Sequence, residues 1–480
     1  MIFNSIEFAL FLPIVFGLYW FVVNKNLKLQ NALLVAASYL FYGWWDYRFL
    51  ALIAFSSVLD YIIGLQLGKE EHKGKRKLLL ATSLIVNLGF LGFFKYFNFF
   101  AESFSDAFTF FGSHIEPTKL EIILPVGISF YTFQTLSYTI DVYRRKLDPC
   151  REPISFLAFV SFFPQLVAGP IERATNLLPQ FYKKRTFDYT KATDGMRQIL
   201  WGLFKKIVIA DGSAEYANMI FNSPEDYSGS MLFVGALFFA FQIYGDFSGY
   251  SDIAIGTSRL FGFDLKKNFS FPYFSRDIAE FWRRWHISLS TWFRDYLYIP
   301  LGGSKGGTWM KIRNTFIIFL VSGFWHGANW TFVVWGALNA VYFLPLLLTN
   351  SNRRNLENIA QGKLLPSIRE LFGMLLTFLL TVFGWIFFRA KDLEHAWYFI
   401  RNIFKEDFFE KPDLPDEASI VIYGIYLMLI IEWLGRENNF ALEKFGLRWY
   451  RPFRWLFYIV LFLLCMILIG EEQAFIYFQF

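Results

Sequence analysis

The chain has few cysteines, few histidines and few charged residues for its length. Its 480 residues include two cysteines, Cys150 and Cys465, which lie far apart and form no CxxC pattern. A disulfide scaffold, thiol catalysis and a zinc–thiolate site are therefore not expected. Charged residues make up 18% of the chain, and five residues are histidine. A histidine or charged residue within apolar sequence is therefore rare enough to be examined as a candidate functional residue.

Apolar and aromatic residues take the place of the missing charges. The chain is 55% hydrophobic and 21% aromatic, with 62 phenylalanines and 16 tryptophans. No soluble core needs that much aromatic surface, whereas a bilayer accommodates it and favours Trp and Tyr at its interfaces. A helix crosses the hydrocarbon with about 20 apolar residues, and many windows qualify. The composition predicts an all-α, polytopic integral membrane protein.

The apolar windows predict about 11 or 12 spanning helices. The window at 231–262 is interpreted as a long, broken helix, and the window at 312–348 as two helices. Residues 154–182 are broken by three prolines and residues 268–303 are densely charged, so both are predicted to be re-entrant helices that do not cross the membrane. The predicted spans are 3–23, 30–46, 49–67, 78–100, 122–140, 196–211, 231–262, 312–348 (two helices), 369–389, 419–434 and 454–470.

Basic residues alternate between successive loops. Lys25 and Lys28 follow the first span, five basic residues follow the third within 69–77, and four follow the fifth within 144–151. Because basic loops remain in the cytoplasm, the N-terminus is predicted to be extracytoplasmic. The basic runs are short and flanked by spans, which favours topology over a nucleic-acid patch, so no nucleic-acid partner is expected.

A single membrane domain is predicted for residues 1–480. The stretches 350–367 and 401–418 are interpreted as polar loops rather than linkers between folded units, and no repeat of fixed period is evident. Residues 3–23 have no basic stretch ahead of them and no small-residue cleavage site. They are therefore predicted to form a retained membrane helix rather than a signal peptide.

Two histidines lie in apolar, tryptophan-rich sequence. His286 lies in FWRRWHISLSTWFRDY, and His326 lies in VSGFWHGANWTFVVWG. Ionisable side chains are costly at membrane depth, and an unexplained one is a functional-site hypothesis. The other three histidines lie in polar or loop-like stretches and are predicted to be solvated: His72, His114 and His395.

The sequence around His286 predicts one amphipathic helix. Acidic residues after Ser275 indicate a helix start there, and Glu280 and Arg284 are spaced to pair at i,i+4. One face would be aromatic and would carry the histidine, through Trp282, Trp285, His286, Leu289 and Phe293. The next face would carry Arg283, Ser290 and Arg294. Two interpretations stay open: a lined cavity, which explains the histidine, and an interfacial helix, which explains the arginines.

His326 has polar neighbours at helical spacing. Gly323 and Gly327 flank it and permit close helix approach. Burial disfavours an imidazolium, so His326 is expected to be neutral, which a general base must be. The alternative is a packing histidine that bonds to a neighbouring helix. The neighbours at i−4, i+3 and i+4 are Ser322, Asn329 and Trp330.

Several reaction classes find no support in the sequence. Neither histidine has a metal-spaced partner, so no metal site is predicted. There is no GxSxG elbow for a hydrolase, and GGSKGGT at 302–308 lacks the lysine and hydroxyl pattern of a phosphate loop. Acyl transfer to a hydroxyl remains, because it needs a base and oxyanion donors but no metal.

Two long motifs resemble the membrane-bound O-acyltransferase family. They are SRDIAEFWRRWHISLSTWFRDYLYIPLGG and GFWHGANWTFVVWG, and they are most similar to the bacterial branch that O-acetylates alginate and peptidoglycan. FPQLVAGPIER at 163–173 and DFSGYSD at 246–252 also match that branch, as do the N-terminal MIFNSIEFALFLPIVFGLYW and ASYLFYGWW. The core motifs fall within 163–345.

The resemblance implies a helical body with a central tunnel and a role for each motif residue. His326 would be the catalytic base, and His286 would orient a substrate or polarise the thioester carbonyl. Tunnel hydrogen bonds would come from Asn329 and the indoles of Trp282, Trp285 and Trp330. Arg283, Arg294 and Asp295 would hold the re-entrant helix or meet the donor's charged end, since arginine suits phosphates. Asp246 and Asp252 would pack a broken helix rather than react.

The resemblance also implies substrates, partners and a location. The donor would be a cytoplasmic thioester, acetyl-CoA or an acyl carrier protein, which binds as a substrate and not as a permanent cofactor. The acceptor would be an extracytoplasmic polysaccharide, reached through a periplasmic acetyltransferase partner, with the chain among the lipids of the bacterial inner membrane. The alternatives are D-alanyl transfer to teichoic acid, a lipid or glycan transporter or flippase, and a non-catalytic scaffold.

Overall fold

The computed structural model describes residues 1–112, 116–117, 119–470 and 475–476. Regular secondary structure in these residues is helical throughout, which confirms the all-α prediction. Contacts divide the chain into two compact units, Met1–Ala192 with Ser258–Leu265, and Thr193–Thr257 with Lys266–Phe480. The single-domain interpretation stays a prediction. His114, one of the histidines predicted to be solvated, lies outside the described residues.

The first unit is held together by a buried carboxylate. Asp60 is fully buried, and its oxygens accept hydrogen bonds from Ser83 (2.5 Å), Asn87 (2.9 Å) and Thr139 (3.2 Å). These bonds join three helices, because a buried carboxylate must be satisfied by donors. The helices of this unit are α1 (Ile6–Gly17), α2 (Leu27–Gly43), α3 (Leu50–Lys69), α4 (Lys73–Leu91), α5 (Phe97–Phe110), α6 (Ile128–Tyr143), α7 (Pro153–Ser161) and α8 (Ala174–Leu177).

The helices from residue 189 onward include the longest one. They are α9 (Tyr189–Phe204), α10 (Gly212–Asn222), α11 (Gly229–Leu260), α12 (Ile278–Arg284), α13 (Ile287–Phe293), α14 (Gly307–His326), α15 (Trp330–Leu348), α16 (Ile368–Arg389), α17 (Leu393–Ile403), α18 (Ala418–Gly435) and α19 (Arg451–Ile467). Short π-helical segments extend α1, α4, α9 and α13.

Six stretches of helix among the described residues are long and apolar enough to cross a membrane. They are Tyr47–Lys69, Lys73–Phe110, Gly229–Leu260, Trp330–Leu348, Ile368–Arg389 and Ala418–Gly435. The chain is thus a multi-pass membrane protein. Six is fewer than the 11 or 12 predicted, because other predicted spans form shorter helices, such as the 17 residues of α2 and the 16 of α6.

The window predicted to be a broken helix forms one continuous helix instead. α11 runs unbroken for 32 residues, so the predicted break within 231–262 was wrong. The glycines in it serve helix contact: a Cβ on Gly249 would lie 2.8 Å from the Gly202 carbonyl oxygen. Small residues let two helix backbones approach closely.

The other long window divides as predicted. α14 ends at His326 and α15 begins at Trp330. Gly323 faces the carbonyl of Phe332 with no room for a side chain, which confirms the predicted close approach. Residues 154–182 and 268–303, predicted to be re-entrant, contain only short helices, including the seven-residue α12 and α13.

Candidate active site

The chain at His286 leaves the helical conformation. α12 ends at Arg284 and α13 begins at Ile287, and His286 between them is left-handed with φ 43°. The predicted continuous helix, with Trp282, Trp285, His286, Leu289 and Phe293 on one face, was therefore wrong. The predicted i,i+4 pair is confirmed, because Arg284 lies 2.9 Å from Glu280. The helix start is Asp277 and not Ser275, since the Asp277 side chain accepts from the Glu280 amide.

An upstream segment stabilises this break. The Ile287 amide donates to the Asn268 carbonyl, and the Ser270 amide donates to the Arg284 carbonyl, both at 2.9 Å. Buried backbone groups that lose helical partners must find others. Residues 268–270 supply them, and the sequence around His286 carries no proline or glycine that would mark the break.

Asn268 fixes the orientation of the His286 ring. It is fully buried, and its Oδ1 lies 3.1 Å from His286 Nδ1. The same oxygen accepts from the Ser288 amide and the Ser288 hydroxyl, and Nδ2 donates to Ser251. Because a backbone N–H can only donate, the shared atom is an oxygen, so His286 Nδ1 carries hydrogen. The neutral ring then has its lone pair on Nε2.

His326 has the same arrangement with a different partner. It is 3% exposed, and its Nδ1 lies 2.6 Å from the Ser322 carbonyl oxygen. A carbonyl can only accept, so Nδ1 donates and the lone pair of the neutral ring is on Nε2. Ser322, the predicted polar neighbour at i−4, contacts His326 through its backbone carbonyl and not through its hydroxyl. Both histidines thus present Nε2 as a proton acceptor.

The helix ends at His326, which moves the next two predicted neighbours away from its face. Asn329 caps α15, and its Nδ2 donates to the Lys391 carbonyl at 2.8 Å. Trp330 is the first residue of α15 and is 54% exposed. The placement of both on one helical face with His326 was wrong, because Gly327 and the two residues after it leave the helix.

One tryptophan lies between the two histidines. The ring of Trp325 has its centroid 6.0 Å from that of His286 and 4.9 Å from that of His326. Further edge-to-face contacts come from other helices, with Phe247 of α11 at 4.6 Å from His286 and Trp335 of α15 at 5.0 Å from His326. The two imidazoles therefore share one aromatic enclosure within the second unit.

The other predicted tryptophans have distinct positions. Trp282 donates its indole N–H to Asn339 Oδ1 at 3.2 Å and is partly exposed. Trp285 is 1% exposed and packs 5.0 Å from Trp385 and 5.5 Å from Phe281 between ring centroids. Trp285 thus belongs to the aromatic core that supports His286, whereas Trp282 reaches a cavity.

The predicted arginines separate into two roles. Arg283 donates to the carbonyls of Asn352 and Asn355, both at 2.8 Å, and so holds the loop after α15. Arg294 pairs with Asp295 at 2.8 Å, and both side chains are partly exposed, at 59% and 35%. Only Arg294 of these three residues lines the cavity that reaches Ser322, and neither histidine is among the residues of that lining.

That cavity has a volume of about 250 Å³. Arg294, Arg353 and Ser304 are exposed, whereas Phe319 and Ser322 are buried. The buried end therefore includes the residue whose carbonyl binds His326. The lining residues are Trp282, Leu289, Ser290, Phe293, Arg294, Tyr298, Ser304, Thr315, Ile318, Phe319, Ser322, Phe343, Leu347, Asn352 and Arg353.

Known proteins with similar sequences decide the family. Residues 144–382 match the model of the membrane-bound O-acyltransferase family. A protein of Azotobacter vinelandii named "probable alginate O-acetylase" is 43% identical over 400 residues, which cover 83% of this chain and 77% of the relative. The chain belongs to the membrane-bound O-acyltransferase family. It is therefore a membrane O-acyltransferase.

Two further relatives of this O-acyltransferase have names that refer to other glycans. A peptidoglycan O-acetyltransferase of Helicobacter pylori is 37% identical over 426 residues, 82% of this chain and 78% of the relative. A teichoic acid D-alanyltransferase of Bacillus subtilis is 29% identical over 306 residues, 59% of this chain and 74% of the relative.

Buried ion pairs join α11 to the segment that follows α9. Lys205 lies 2.6 Å from Asp252, and Lys206 lies 2.9 Å from Asp246. Both lysines belong to a π-helical segment, Lys205–Asp211, that follows α9. Asp246 and Asp252 therefore pack α11 against this segment, as predicted in part, although α11 is not broken.

The two other histidines in the described part of the acyltransferase differ in exposure. His72 is exposed, which confirms the prediction for it. His395 is half-buried in α17, and its Nδ1 accepts from the Lys391 amide at 3.1 Å. Burial lowers the pKa of the His395 imidazole below its ordinary value. Neither residue lines the cavity beside His326.

Sequence reasoning missed several residues of this acyltransferase site. Asn268, Trp325, Trp335 and Phe247 each contact a histidine, and Arg353 lines the cavity. A buried polar residue in an aromatic stretch was the one available signal for Asn268. The aromatic residues carry no such signal, because tryptophan and phenylalanine are abundant along the whole chain.

Proposed function

We propose that this O-acyltransferase moves an acetyl group from a thioester donor to hydroxyls of an extracytoplasmic polysaccharide such as alginate or a similar glycan. The observation that supports this most directly is the pair of buried histidines, each with Nε2 as its proton acceptor. A partly apolar cavity reaches Ser322, whose carbonyl binds His326. The similarity to relatives named for O-acetylation of alginate and of peptidoglycan supports the acetyl group and the glycan.

His326 is the proposed general base. Its Nε2 takes the proton of the attacking hydroxyl, whose oxygen bonds to the thioester carbonyl carbon. The C–S bond then breaks, and the imidazolium returns the proton to the leaving sulfur. The Ser322 carbonyl supports this role, because the Nδ1–H···O bond at 2.6 Å strengthens as the ring becomes positive.

His286 is proposed to orient the acceptor hydroxyl. With hydrogen on Nδ1, its neutral ring has no N–H at Nε2 with which to polarise a carbonyl. It can accept a hydrogen bond from a hydroxyl, which places that oxygen near the donor. The bonds of Asn268 support this assignment, because they hold the ring in one tautomer and orientation.

The cavity of about 250 Å³ is proposed to hold the acyl donor. Its exposed end carries Arg294 and Arg353, which suit the phosphates of coenzyme A or of a carrier protein's pantetheine arm. Its buried, apolar end at Phe293 and Phe319 suits the arm itself, and Ser322 leads to His326. The donor is a substrate and not a resident cofactor.

The cellular arrangement is also a proposal. The basic loops after the first, third and fifth predicted spans support a cytoplasmic donor and an extracytoplasmic N-terminus in the bacterial inner membrane. Acetyl transfer to a glycan on the far side then proceeds with a periplasmic acetyltransferase partner. The chain's membership in an acyltransferase family gives the transporter and scaffold alternatives no support.

D-alanyl transfer is the second candidate, because a teichoic acid D-alanyltransferase is among the relatives. The same base and cavity would serve that reaction. The higher identity to the alginate relative favours acetyl.

The test is the acetate that mild base releases from envelope polysaccharide. Cells would carry the wild type, His326→Ala, His286→Ala or the exposed-histidine control His72→Ala, with membrane levels of each protein measured by immunoblot. We expect His326→Ala to lose ester-linked acetate at normal protein level, and His72→Ala to retain it. Wild-type acetate in His326→Ala would overturn the assignment of the base. Release of D-alanine instead of acetate would favour the second candidate.

A further inference from the structure

The first unit contains a second cavity, of about 480 Å³, remote in sequence from the histidine motifs. It lies between the end of the first helix and residues 184–187. Its walls are aromatic, with Phe187 in edge-to-face contact with Phe16 at 6.0 Å and with Trp20 at 5.5 Å between ring centroids. The full lining is Phe16, Trp20, Phe21, Asn24, Lys25, Lys184, Arg185, Thr186 and Phe187.

The charged residues that line this cavity are all basic. Lys25, Lys184 and Arg185 line it, and no carboxylate does. Arg185 is fixed in place, since its guanidinium donates to Asn31 Oδ1 at 2.7 Å and lies 4.9 Å from the Phe263 ring centroid. Lys25 and Lys184 are exposed and form no ion pair with a residue in the described part of the chain. An anion is therefore the ligand whose charge suits this cavity.

A stripe of exposed apolar residues on the first helix leads to this cavity. Leu10, Ile14, Leu18 and Phe21 are 64%, 62%, 41% and 80% exposed, and they follow one another at helical spacing along the first helix. In a membrane protein such a stripe faces lipid. Phe21 belongs both to the stripe and to the cavity lining. A hydrocarbon chain on the stripe would thus have its polar end beside the lysines.

We propose that this cavity binds the phosphodiester headgroup of an anionic phospholipid, with phosphatidylglycerol as the representative. Lys25 and Lys184 contact the phosphate, and the aromatic walls cover the glycerol backbone while one acyl chain lies along the stripe. Basic pockets between membrane helices bind anionic headgroups in this way. The proposal is independent of the acyltransferase site, because it names no residue of that site.

Basic loops alone would also follow from membrane topology, so the test needs a matched control. The double variant Lys25→Gln/Lys184→Gln removes the two free charges of the cavity. Lys73→Gln/Lys77→Gln removes two exposed lysines from the start of α4 and changes the net charge equally. Phe187→Ala opens the aromatic wall without a change of charge.

Purified protein in phosphatidylcholine nanodiscs would be titrated with phosphatidylglycerol and the bound lipid counted by native mass spectrometry. Each basic residue near an anionic headgroup contributes about fivefold, so we expect the cavity double variant to bind roughly 10- to 30-fold more weakly. Lys73→Gln/Lys77→Gln should bind as the wild type does, and Phe187→Ala should be weaker. Thermal unfolding of each variant checks that the fold is retained.

Two results would overturn the proposal. Equal loss of phosphatidylglycerol in both double variants would show attraction by the basic surface and no specific site. Displacement of phosphatidylglycerol by millimolar inorganic phosphate would show a site for free phosphate and not for a lipid. Neither result would bear on the acetate assay of His326→Ala.

Discussion

The hydrogen bonds at Nδ1 decide what each buried histidine offers to a substrate. The Ser322 carbonyl and the Asn268 amide oxygen both accept from Nδ1, so the lone pair of each neutral ring is on Nε2. Residues other than the histidines thus determine which nitrogen of each ring can accept a proton. This holds for Asn268 in particular, which contacts His286, Ser288 and Ser251 at once.

Asn268→Ala should impair His286 without removing it. The substitution leaves the Nδ1–H of His286 and the Ser288 amide without their acceptor, which costs about 1–3 kcal/mol for each buried group. We expect kcat to fall at least about tenfold, equivalent to roughly 1.4 kcal/mol of transition-state stabilisation.

Asn268→Asp tests whether Asn268 acts by positioning the His286 ring or only by stabilising the fold. It keeps the acceptor but adds a negative charge that stabilises the protonated imidazole of His286. The role proposed for His286 requires a neutral ring, so the acid limb of the pH–rate profile should move to higher pH, with partial recovery of the rate at alkaline pH. An unshifted profile at wild-type rate would contradict the role of Asn268.

Arg353 should act on donor binding alone. Arg353→Gln removes a positive charge from the exposed end of the donor cavity, so the KM for the thioester should rise while kcat changes little, because uniform binding is lost. The adjacent exposed Arg354, which does not line the cavity, gives the matched control Arg354→Gln. Equal KM values for both variants would place the donor elsewhere.

The element that holds His326 in place is the α14–α15 pair. Gly323 and Gly336 lie on the two facing helices, and a Cβ on either would clash with a carbonyl of the other helix, at Phe332 and at Phe319 respectively. This contact brings Trp335 of α15 to 5.0 Å from the His326 ring at the end of α14. Close packing of the two helices thus becomes part of the enclosure of His326, the proposed base.

Gly323→Ala should therefore force α15 away from α14. A carbonyl cannot yield as a flexible side chain does, so we expect a loss of about 1–3 kcal/mol of stability from overpacking. The measurement is thermal unfolding of purified protein in detergent. Gly89→Ala is the control, since a Cβ at Gly89 meets no atom within 4 Å. Equal unfolding temperatures for the two variants would contradict this account of the contact.

Across the whole molecule, apolar windows predicted the helices well and the irregular segments poorly. The windows at 369–389 and 419–434 agree with α16 and α18 to within a residue or two, because membrane helices need long apolar runs. The break at His286 could not be predicted in this way. Its cause is the pairing of residues 268–270 with the chain on either side of the histidine, and no local residue marks it.

The sequence drew attention to the two histidines of the candidate site but not to their surroundings. His286 and His326 stand out by the cost of burying an imidazole among tryptophans. Asn329 was misplaced because a continued helix was assumed beyond His326, whereas its side chain caps the next helix. Trp325 and Phe247 became visible only through the contacts of separate helices.

The most direct test of the central claim is a single-turnover measurement on purified protein in proteoliposomes. The rate of donor thioester cleavage in the presence of a glycan acceptor would be compared for the wild type, His326→Gln and the exposed-histidine control His72→Gln. The account predicts that His326→Gln is slower by about 10²–10⁴-fold, as for loss of a general base, while His72→Gln keeps the wild-type rate. A wild-type rate in folded His326→Gln would contradict it.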